Sequence, residues 1–292
     1  MMTDFETLSL HRISKLPLDA DAEIFRQYPA FKLGVAAGVR HYAQLLLPLV
    51  TKLIADSEHT GWILTAPAID AHTPSAANLL CWELLDLYVR ERDELTSPDL
   101  SLIEIRYDDE PKASVSGNEP DKSQDYAKLD FADRVTERER LSRRLVHNPD
   151  LRGRPVLFLN DIRVTGAQQY TMQQYFERAE VACVRWLYVI VVDPEIGRTK
   201  PEIEWQINFA PFDDLLRMVS REEIQFTGKC VQRLMRLSVA ELDQVLRALN
   251  LERRARLLEL TLLNGFQNLD DCRQQVELVR SYGSETNTLT AG

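Results

Sequence analysis

A doubly wound α/β fold, with a mostly parallel five-stranded sheet, an N-terminal helix and a C-terminal helical extension, is the architecture the sequence predicts. Three observations carry it. Five short strand-like runs, Trp62–Thr65, Leu102–Ile105, Val156–Leu159, Arg185–Val192 and Ile203–Ile207, alternate with helical or loop segments, the order that builds parallel sheets. The run Val156-Leu157-Phe158-Leu159 is apolar without a break, as an inner strand covered on both faces should be. After Pro211 the strand patterns stop and leucine-rich helical spacing takes over.

The elements follow in order. From Asp21 to Ile54 the pattern is helical, with Ala36, Val39, Tyr42, Ala43, Leu46 and Leu47 on one face, and Tyr28–Gly34 interrupts it. Lys32, in that interruption, is within reach of a phosphate site, although a solvated surface lysine is the preferred reading. Thr73 is the expected N-cap, with Pro74 at the first position, of a helix running through Leu84, Leu85 and Leu87. Its N-terminus faces the same sheet edge as the loop after Leu159 and offers a second anion site. Residues 107–133 are polar and broken by Pro111, Gly117 and Pro120, which reads as a long lid loop. A basic helix follows, carrying Arg134, Arg138, Arg140, Arg143 and Arg144, and most of these arginines are expected to be solvated and ion-paired. Ser238-Val239-Ala240-Glu241 is a capping box, Asn250 ends its helix, Asn264-Gly265 ends a leucine-rich one, and the last helix runs from about Leu269 to Tyr282. The predicted organisation is therefore an N-terminal helical segment (1–60), an α/β core (61–210), a helical extension (211–282) that packs on the core or on a second subunit of a homodimer, and a disordered tail (283–292).

With 292 residues the chain can bury a full core. A formal net charge of -10 argues against general nucleic-acid binding, because a polyanion would be repelled overall, while one nucleotide at a local basic cluster is still allowed. No apolar run spans a bilayer and the opening MMTDFETLSLHRISK has no apolar signal core, so a cytoplasmic protein without membrane contact is expected. Cys81, Cys183, Cys230 and Cys272 lack zinc spacing and are expected to be reduced and mostly buried. His41 and His147 fall on helical patterns and His72 in a loop, so no metal cluster emerges.

Chemistry concentrates in Asn160-Asp161-Ile162-Arg163-Val164-Thr165-Gly166-Ala167-Gln168. A parallel strand delivers this stretch to the carboxyl edge of the sheet, where open α/β folds place ligands. Gly166 permits a tight turn and close approach of the backbone, and a helix starting near Ala167 points free N–H groups and its positive end at the same spot. An anion such as a sugar 5-phosphate fits there. Thr165 adds a hydroxyl donor, and Asp161 is placed to accept from ribose hydroxyls or to hold a magnesium-bound water. The plainer alternative is a strand, turn and helix in which Asp161 and Thr165 only cap. The adjacent Asn160 and Asp161, with Arg163 beside them, are more than capping requires.

This stretch resembles the phosphoribosyl-pyrophosphate loop of the type I phosphoribosyltransferases, whose usual form is four apolar residues, two acids, two variable positions, Thr-Thr/Ser-Gly, one residue and Thr. Here Asp161, Thr165 and Gly166 match, whereas Asn160, Val164 and Gln168 stand at the first acid, the first Thr and the last Thr. In that family a pyrophosphate loop follows the first core strand and a lid lies between the second and third. The counterparts are Thr65-Ala66-Pro67-Ala68, continuing to Asp70, and the polar stretch with Tyr126, Lys128 and, at its end, Arg134. The resemblance spans about residues 61–209, and the helical extensions look like those of a bacterial branch found with tellurite-resistance or stress-response genes.

The resemblance implies transfer of a phosphoribosyl group to or from a nitrogen acceptor through an oxocarbenium-like transition state. Asp161 would be the catalytic carboxylate holding the ribose hydroxyls, Thr165 to Gln168 the 5-phosphate cradle, and Mg2+ would ride on the pyrophosphate, meeting Asp161 only through water. Asn160 brings no charge, Val164 removes a donor and Gln168 reaches further than threonine. A phosphoribosyl-pyrophosphate or nucleotide sensor without turnover, and a partner-binding protein with a degenerate core, are the alternatives these departures leave open.

Overall fold

The chain, described from a computed structural model over residues 7–18, 23–68, 73–91, 99–108, 131–221 and 223–284, is built on one five-stranded sheet. The strands are β1 (Thr7–Ile13), β2 (Trp62–Thr65), β3 (Leu100–Leu102), β4 (Pro155–Arg163) and β5 (Cys183–Val192). They lie in the order β1-β5-β4-β2-β3 and every pairing is parallel. Central β4 and β5 are buried along most of their length, which is why Val156–Leu159 and Trp186–Val192 are continuous runs of β-branched, leucine and aromatic residues.

Two strand expectations are corrected. Ile203–Ile207 is not a strand but part of a helix, Ile203–Asn208, and the fifth strand is instead Thr7–Ile13 at the sheet edge, inside the segment expected to be helical. The apolar residues Ile203, Trp205 and Ile207 alternate as a strand would. In the helix Ile203 and Ile207, four apart, share the buried face while Trp205 is 63 % exposed. β1 gave a weak signal because only one face of this edge strand, through Leu8 and Leu10, leans on the core. The third strand is also three residues, Leu100–Leu102, ending where the sequence reading began it.

Helices α1 (Glu23–Arg26), α2 (Tyr28–Leu33), α3 (Ala36–Ala55) and α4 (Ala76–Arg90) bring Phe25, Tyr28, Phe31, Tyr42, Leu46 and Leu80 to one face of the sheet. α4 is capped by Ser75 rather than Thr73: the Ser75 hydroxyl accepts from Asn78 N and the Asn78 side-chain oxygen accepts from Ser75 N at 2.8 Å. The other face carries α5 (Phe131–Ser142) and α6 (Ala167–Arg178), with Met172, Tyr175 and Phe176 of α6 packed on Phe158 and Trp186. Phe131 to Asp133, expected within the lid, begin α5, and Tyr107 bridges to Leu145. The remainder of the expected lid, including Tyr126 and Lys128, lies outside the described residues, as do Asp70 and His72. His147 follows α5 without being helical.

After β5 come two short helices, α7 (Pro194–Thr199) and α8 (Ile203–Asn208), and then α9 (Phe212–Arg221), α10 (Gly228–Leu234), α11 (Val239–Ala248), α12 (Leu251–Leu263) and α13 (Arg273–Ser284). α9 to α13 enclose a core of their own, centred on Leu215, Val231, Leu234, Leu242, Leu246 and Leu257. It shares Ala30, Leu33 and Val35 with the α2–α3 junction, where Val35 bridges Ile224 and Gln225 N donates to Gly34 O at 2.9 Å. Gly34 has φ +90°, and a Cβ there would collide with the Gln225 carbonyl, so glycine sets this docking. Asn250 does more than end a helix, since its side chain caps α12 by accepting from Arg253 N at 2.9 Å. α13 runs to Ser284, past the expected start of the tail. Among the described residues no helix is long and apolar enough to cross a membrane.

Two stability expectations arise here. The Ser238 box is present as the sequence predicts, with Ser238 Oγ accepting from Glu241 N and Glu241 accepting from Ser238 N at 2.9 Å. Ser238→Ala should therefore lower stability by about 1 kcal/mol in urea unfolding. None of the four cysteines is in a disulfide, and burial raises Cys81 well above its ordinary 9.0 and Cys230 to about 12. Their folded pKa values lie above the unfolded ones, so their contribution is full below pH 9 and is lost as pH rises through the folded values. Each thiol should cost about 1.4 kcal/mol per pH unit above 9. Urea midpoints at pH 8, 9 and 10 check this, and Cys81→Ala should flatten the decline.

Candidate functional site

Strand order locates the site. From β2 the chain passes through α4 to β3 on one side, and from β4 it passes through α6 to β5 on the other. The connections diverge between β2 and β4, which makes the carboxyl ends of those two strands the switch point where open sheets bind ligands. Thr65, Ala66, Pro67 and Ala68 form one lip. Thr65 is fully buried and its hydroxyl has no hydrogen-bond partner among the described residues, while Pro67 O accepts from Asn78 Nδ2 at 3.0 Å. Asn160 to Gln168 form the other lip.

That second lip is more strand than loop. Asn160, Asp161, Ile162 and Arg163 belong to β4, and only Val164, Thr165 and Gly166 turn the chain before α6. The register passes from Asn160↔Tyr188 directly to Ile162↔Ile190. Leu157, Leu159, Ile162 and Val164 all join the α2–α4 side of the core, so the two-residue alternation changes after Asp161; the pairing offset with β5 is the same before and after, and β5 changes with it, Leu187, Val189, Ile190 and Val192 joining the same side. Ile162 N donates to Asp161 Oδ1 at 2.8 Å at this change. Asp161, in phase with Leu157 and Leu159, faces α2, and the change turns Arg163 toward α6, where it donates to Gln169 Oε1 at 3.0 Å and to Thr7 Oγ1 at 3.4 Å. Arg163 thus ties β4 to β1 and α6.

The other expected site residues are close together. Asn160 Nδ2 donates to Gln168 Oε1 at 2.8 Å, so the residues replacing an acid and a threonine hold each other. Ala167 N donates to Thr165 Oγ1 at 3.4 Å, Val164 and Ala167 are buried, and Gly166 takes φ 82° as the N-cap of α6. Thr165 thus engages the first amide of α6, and among the described residues no N-cap side chain takes the amides that follow it, at the end of a helix that attracts anions. Arg134, expected near the lid, lies on α5.

An ion cluster that the sequence reading did not assemble sits on Asp161. Lys32 of α2, expected at the surface, is only 9 % exposed and donates to the Asp161 carboxylate; Glu204 of α8 is 3.8 Å from the same ammonium. The Lys32 carbonyl accepts from Thr227 Oγ1 at 2.7 Å, and that hydroxyl caps α10 by accepting from Cys230 N at 3.1 Å. Lys229, at the start of α10, adds a second cation whose charge interacts with Glu204, Lys32 and Asp161; desolvation and the neighbouring cations hold its pKa below the usual lysine range. Tyr28 is fully buried, its hydroxyl has no hydrogen-bond partner among the described residues, and its proton is held first by burial and then by the charges of Asp161 and Glu204. Burial likewise raises Tyr188, with Arg163 opposing and Asp161 reinforcing.

Elsewhere, a cleft of about 420 Å³ lies between α5 and the far end of α6, lined by Ser142, Arg143, His147, Gln174, Tyr175 and Arg178. Arg178 closes a helix of 12 residues whose first turn is at the switch point, so about 18 Å of helix separates the two. Among the described residues no group of three or more His, Cys, Asp or Glu could hold a metal ion.

A five-stranded parallel sheet with its switch point between β2 and β4, and an acid, Thr-Gly turn and helix N-terminus after an inner strand, defines a phosphoribosyltransferase-like core. The chain belongs to the ComF-like phosphoribosyltransferase family (PRTase ComF-like), which matches residues 110–279, more than half of its length. The matched span contains the turn after β4, Glu204 and Lys229; Lys32 and Thr65 lie before it. No curated protein matches the chain. Among solved structures it is similar to a hypoxanthine-guanine phosphoribosyltransferase from Bacillus anthracis str. 'Ames Ancestor' (11 % identity, 57 % of this chain and 70 % of that one, TM-score 0.29). It is also similar to a hypoxanthine phosphoribosyltransferase from Staphylococcus aureus (8 % identity, 59 % and 75 %, TM-score 0.26).

Proposed function

We propose that the chain is an enzyme of the phosphoribosyltransferase type. It binds phosphoribosyl pyrophosphate, or a ribose 5-phosphate product, in the β2–β4 crevice and exchanges pyrophosphate at ribose C1 with a nitrogenous acceptor. The observation that supports this most is the gathering, at one sheet edge, of a carboxylate, a glycine turn with free helix amides, and two lysines. Asp161 accepts hydrogen bonds from the ribose hydroxyls and stabilises the positive charge that develops on the ring. Thr165, Gly166 and the first amides of α6 bind the 5-phosphate. Lys32 and Lys229 face the leaving pyrophosphate, and the spare Thr65 hydroxyl adds a donor from the opposite lip.

Mg2+ fits this donor set as an ion carried by the pyrophosphate: Asp161 and Glu204 are hard oxygen donors suited to its bound waters, too few for a protein-held site. When bound it supplies neutralisation of the leaving group. Exposed Trp205 and Phe209, with ring centroids 5.6 Å apart on the helix that carries Glu204, offer faces for a planar acceptor.

Calorimetric titration with phosphoribosyl pyrophosphate and Mg2+ tests the reading. Asp161→Ala and Gly166→Leu should each weaken binding at least a hundredfold, about 3 kcal/mol. Absence of heat with the unsubstituted protein would sink the proposal. The Asn160–Gln168 bond favours a second reading, a phosphoribosyl-pyrophosphate sensor, because it ties up the uncharged residue that replaces an acid. Binding without pyrophosphate release across a panel of heterocyclic bases would select it.

A further inference from the structure

One hydroxyl joins the two helices that carry the lysines. Thr227 is buried, and its Oγ1 donates to Lys32 O, in the last turn of α2, at 2.7 Å and accepts from Cys230 N, in the first turn of α10, at 3.1 Å. It therefore closes the end of a six-residue helix and opens a seven-residue one. Neither is long enough to hold its shape alone, so the positions of Lys32 and Lys229 are decided by what the helix ends are tied to. Around that hydroxyl, Gln225 N donates to Gly34 O at 2.9 Å and Gly228 N to Pro74 O at 3.3 Å, and a Cβ on Gly228 would come within 3.3 Å of Thr73 Oγ1. Residues 225–228 are thus wedged between α2 and the approach to α4, the helix whose Asn78 holds the Thr65–Ala68 lip at Pro67 O.

We propose that Thr227 is a positioning residue: its hydroxyl holds Lys32 and Lys229 at one fixed spacing, and through it the helical extension completes a site that the α/β core leaves open. This rests on the phosphoribosyl reading above, which gives both lysines the leaving group, and adds to it a residue that touches no ligand. The lysines are near enough for the charge of Lys32 to act on Lys229, and Asp161 and Glu204 act on it as well. Two ammonium groups are thus set against two carboxylates, so net charge does not draw a polyanion in, and the placement of the two cations has to do so. Threonine suits the task because its hydroxyl offers one donor for the carbonyl and lone pairs for the amide at the same time. Serine keeps both bonds. Valine keeps the shape and loses both, and at a buried position water does not replace them.

Calorimetry with Mg2+ and two probes, phosphoribosyl pyrophosphate and ribose 5-phosphate, tests the assignment, because only the first carries the group that meets the lysines. Thr227→Val should weaken phosphoribosyl pyrophosphate about tenfold or more and change ribose 5-phosphate by less than about twofold. Thr227→Ser should restore phosphoribosyl pyrophosphate to within about threefold of the unsubstituted protein. A role in stability alone would weaken both probes together or neither. Should valine prevent folding, Thr227→Gly carries the same comparison, since glycine is tolerated at an N-cap. Equal weakening of the two probes, unchanged affinity for both, or no rescue by serine overturns the assignment of Thr227 and leaves the functional proposal standing. No binding of phosphoribosyl pyrophosphate to the unsubstituted protein overturns both.

Discussion

Lys32→Met is expected to destabilise the fold by about 3–5 kcal/mol at neutral pH, an effect large enough to populate the unfolded chain. Methionine matches the lysine stem in volume and packs where it did, so lost contacts contribute little. The loss comes from the carboxylate left behind. Asp161 is 9 % exposed on a strand buried on both sides and keeps the Ile162 N–H as a donor; with Glu204 on the same side of the cluster, the two acids lose the cation they share and only Lys229 is left near them. The double variant Lys32→Met/Asp161→Leu should recover most of the stability, since replacing a buried pair by apolar groups is often neutral. Asp161→Asn should cost less than Lys32→Met, because Lys32 keeps Glu204 at 3.8 Å. Urea unfolding of the four proteins measures this cycle. A loss below about 1 kcal/mol for Lys32→Met would mean that Asp161 is as well served by water as by lysine.

The cluster also marks the boundary of what sequence made legible. The inner strands and the acid, Thr-Gly and helix order after Leu159 were readable because their signals are local: a continuous apolar run, a glycine where φ must be positive, a helix start. The change after Asp161 is not local. It becomes visible only in the packed core, because what it changes is which face Ile162 and Arg163 address while Asp161 stays on the α2 face. Lys32 and Glu204 reach that face from 129 residues before Asp161 and from a helix that alternates like a strand. A hydrophilic residue in an interrupted helical pattern has no sequence mark that separates a solvated lysine from a buried one. The stronger hint was Tyr28-Pro29-Ala30-Phe31-Lys32-Leu33, where apolar residues surround the lysine on every side of a six-residue helix, leaving it no solvent face. Glu204 carried a comparable hint: Ile203 and Ile207 are spaced four apart as well as alternating, and Trp205 is a poor candidate for burial on both faces of a parallel sheet.

Gly197→Ala should separate a helical glycine that is merely tolerated from one that positions the crevice. Within an ordinary helix the exchange of glycine for alanine stabilises by about 1 kcal/mol. Here the opposite sign is expected, a loss of about 1–3 kcal/mol. Gly197 is buried in α7, and a Cβ there would be driven into the backbone carbonyl of Val164, a group that cannot rotate away as a flexible side chain would. α7 itself cannot retreat easily: Asp193 N donates to Ile13 O at 2.8 Å, Asp193 caps the helix by accepting from Glu195 N at 3.0 Å, and Gly197 N donates to Asp193 O at 2.8 Å. The strain therefore falls on Val164-Thr165-Gly166, the three residues that aim the α6 amides. A displacement near 1 Å at such a point is worth about a hundredfold in binding or turnover. The expected signature is a lower urea midpoint together with weakened binding of phosphoribosyl pyrophosphate, while Thr199→Ala, on the exposed end of the same helix, changes stability slightly and binding not at all. A stabilised Gly197→Ala protein with unchanged affinity would show that the turn yields without cost, and the close approach of α7 would then carry no functional meaning.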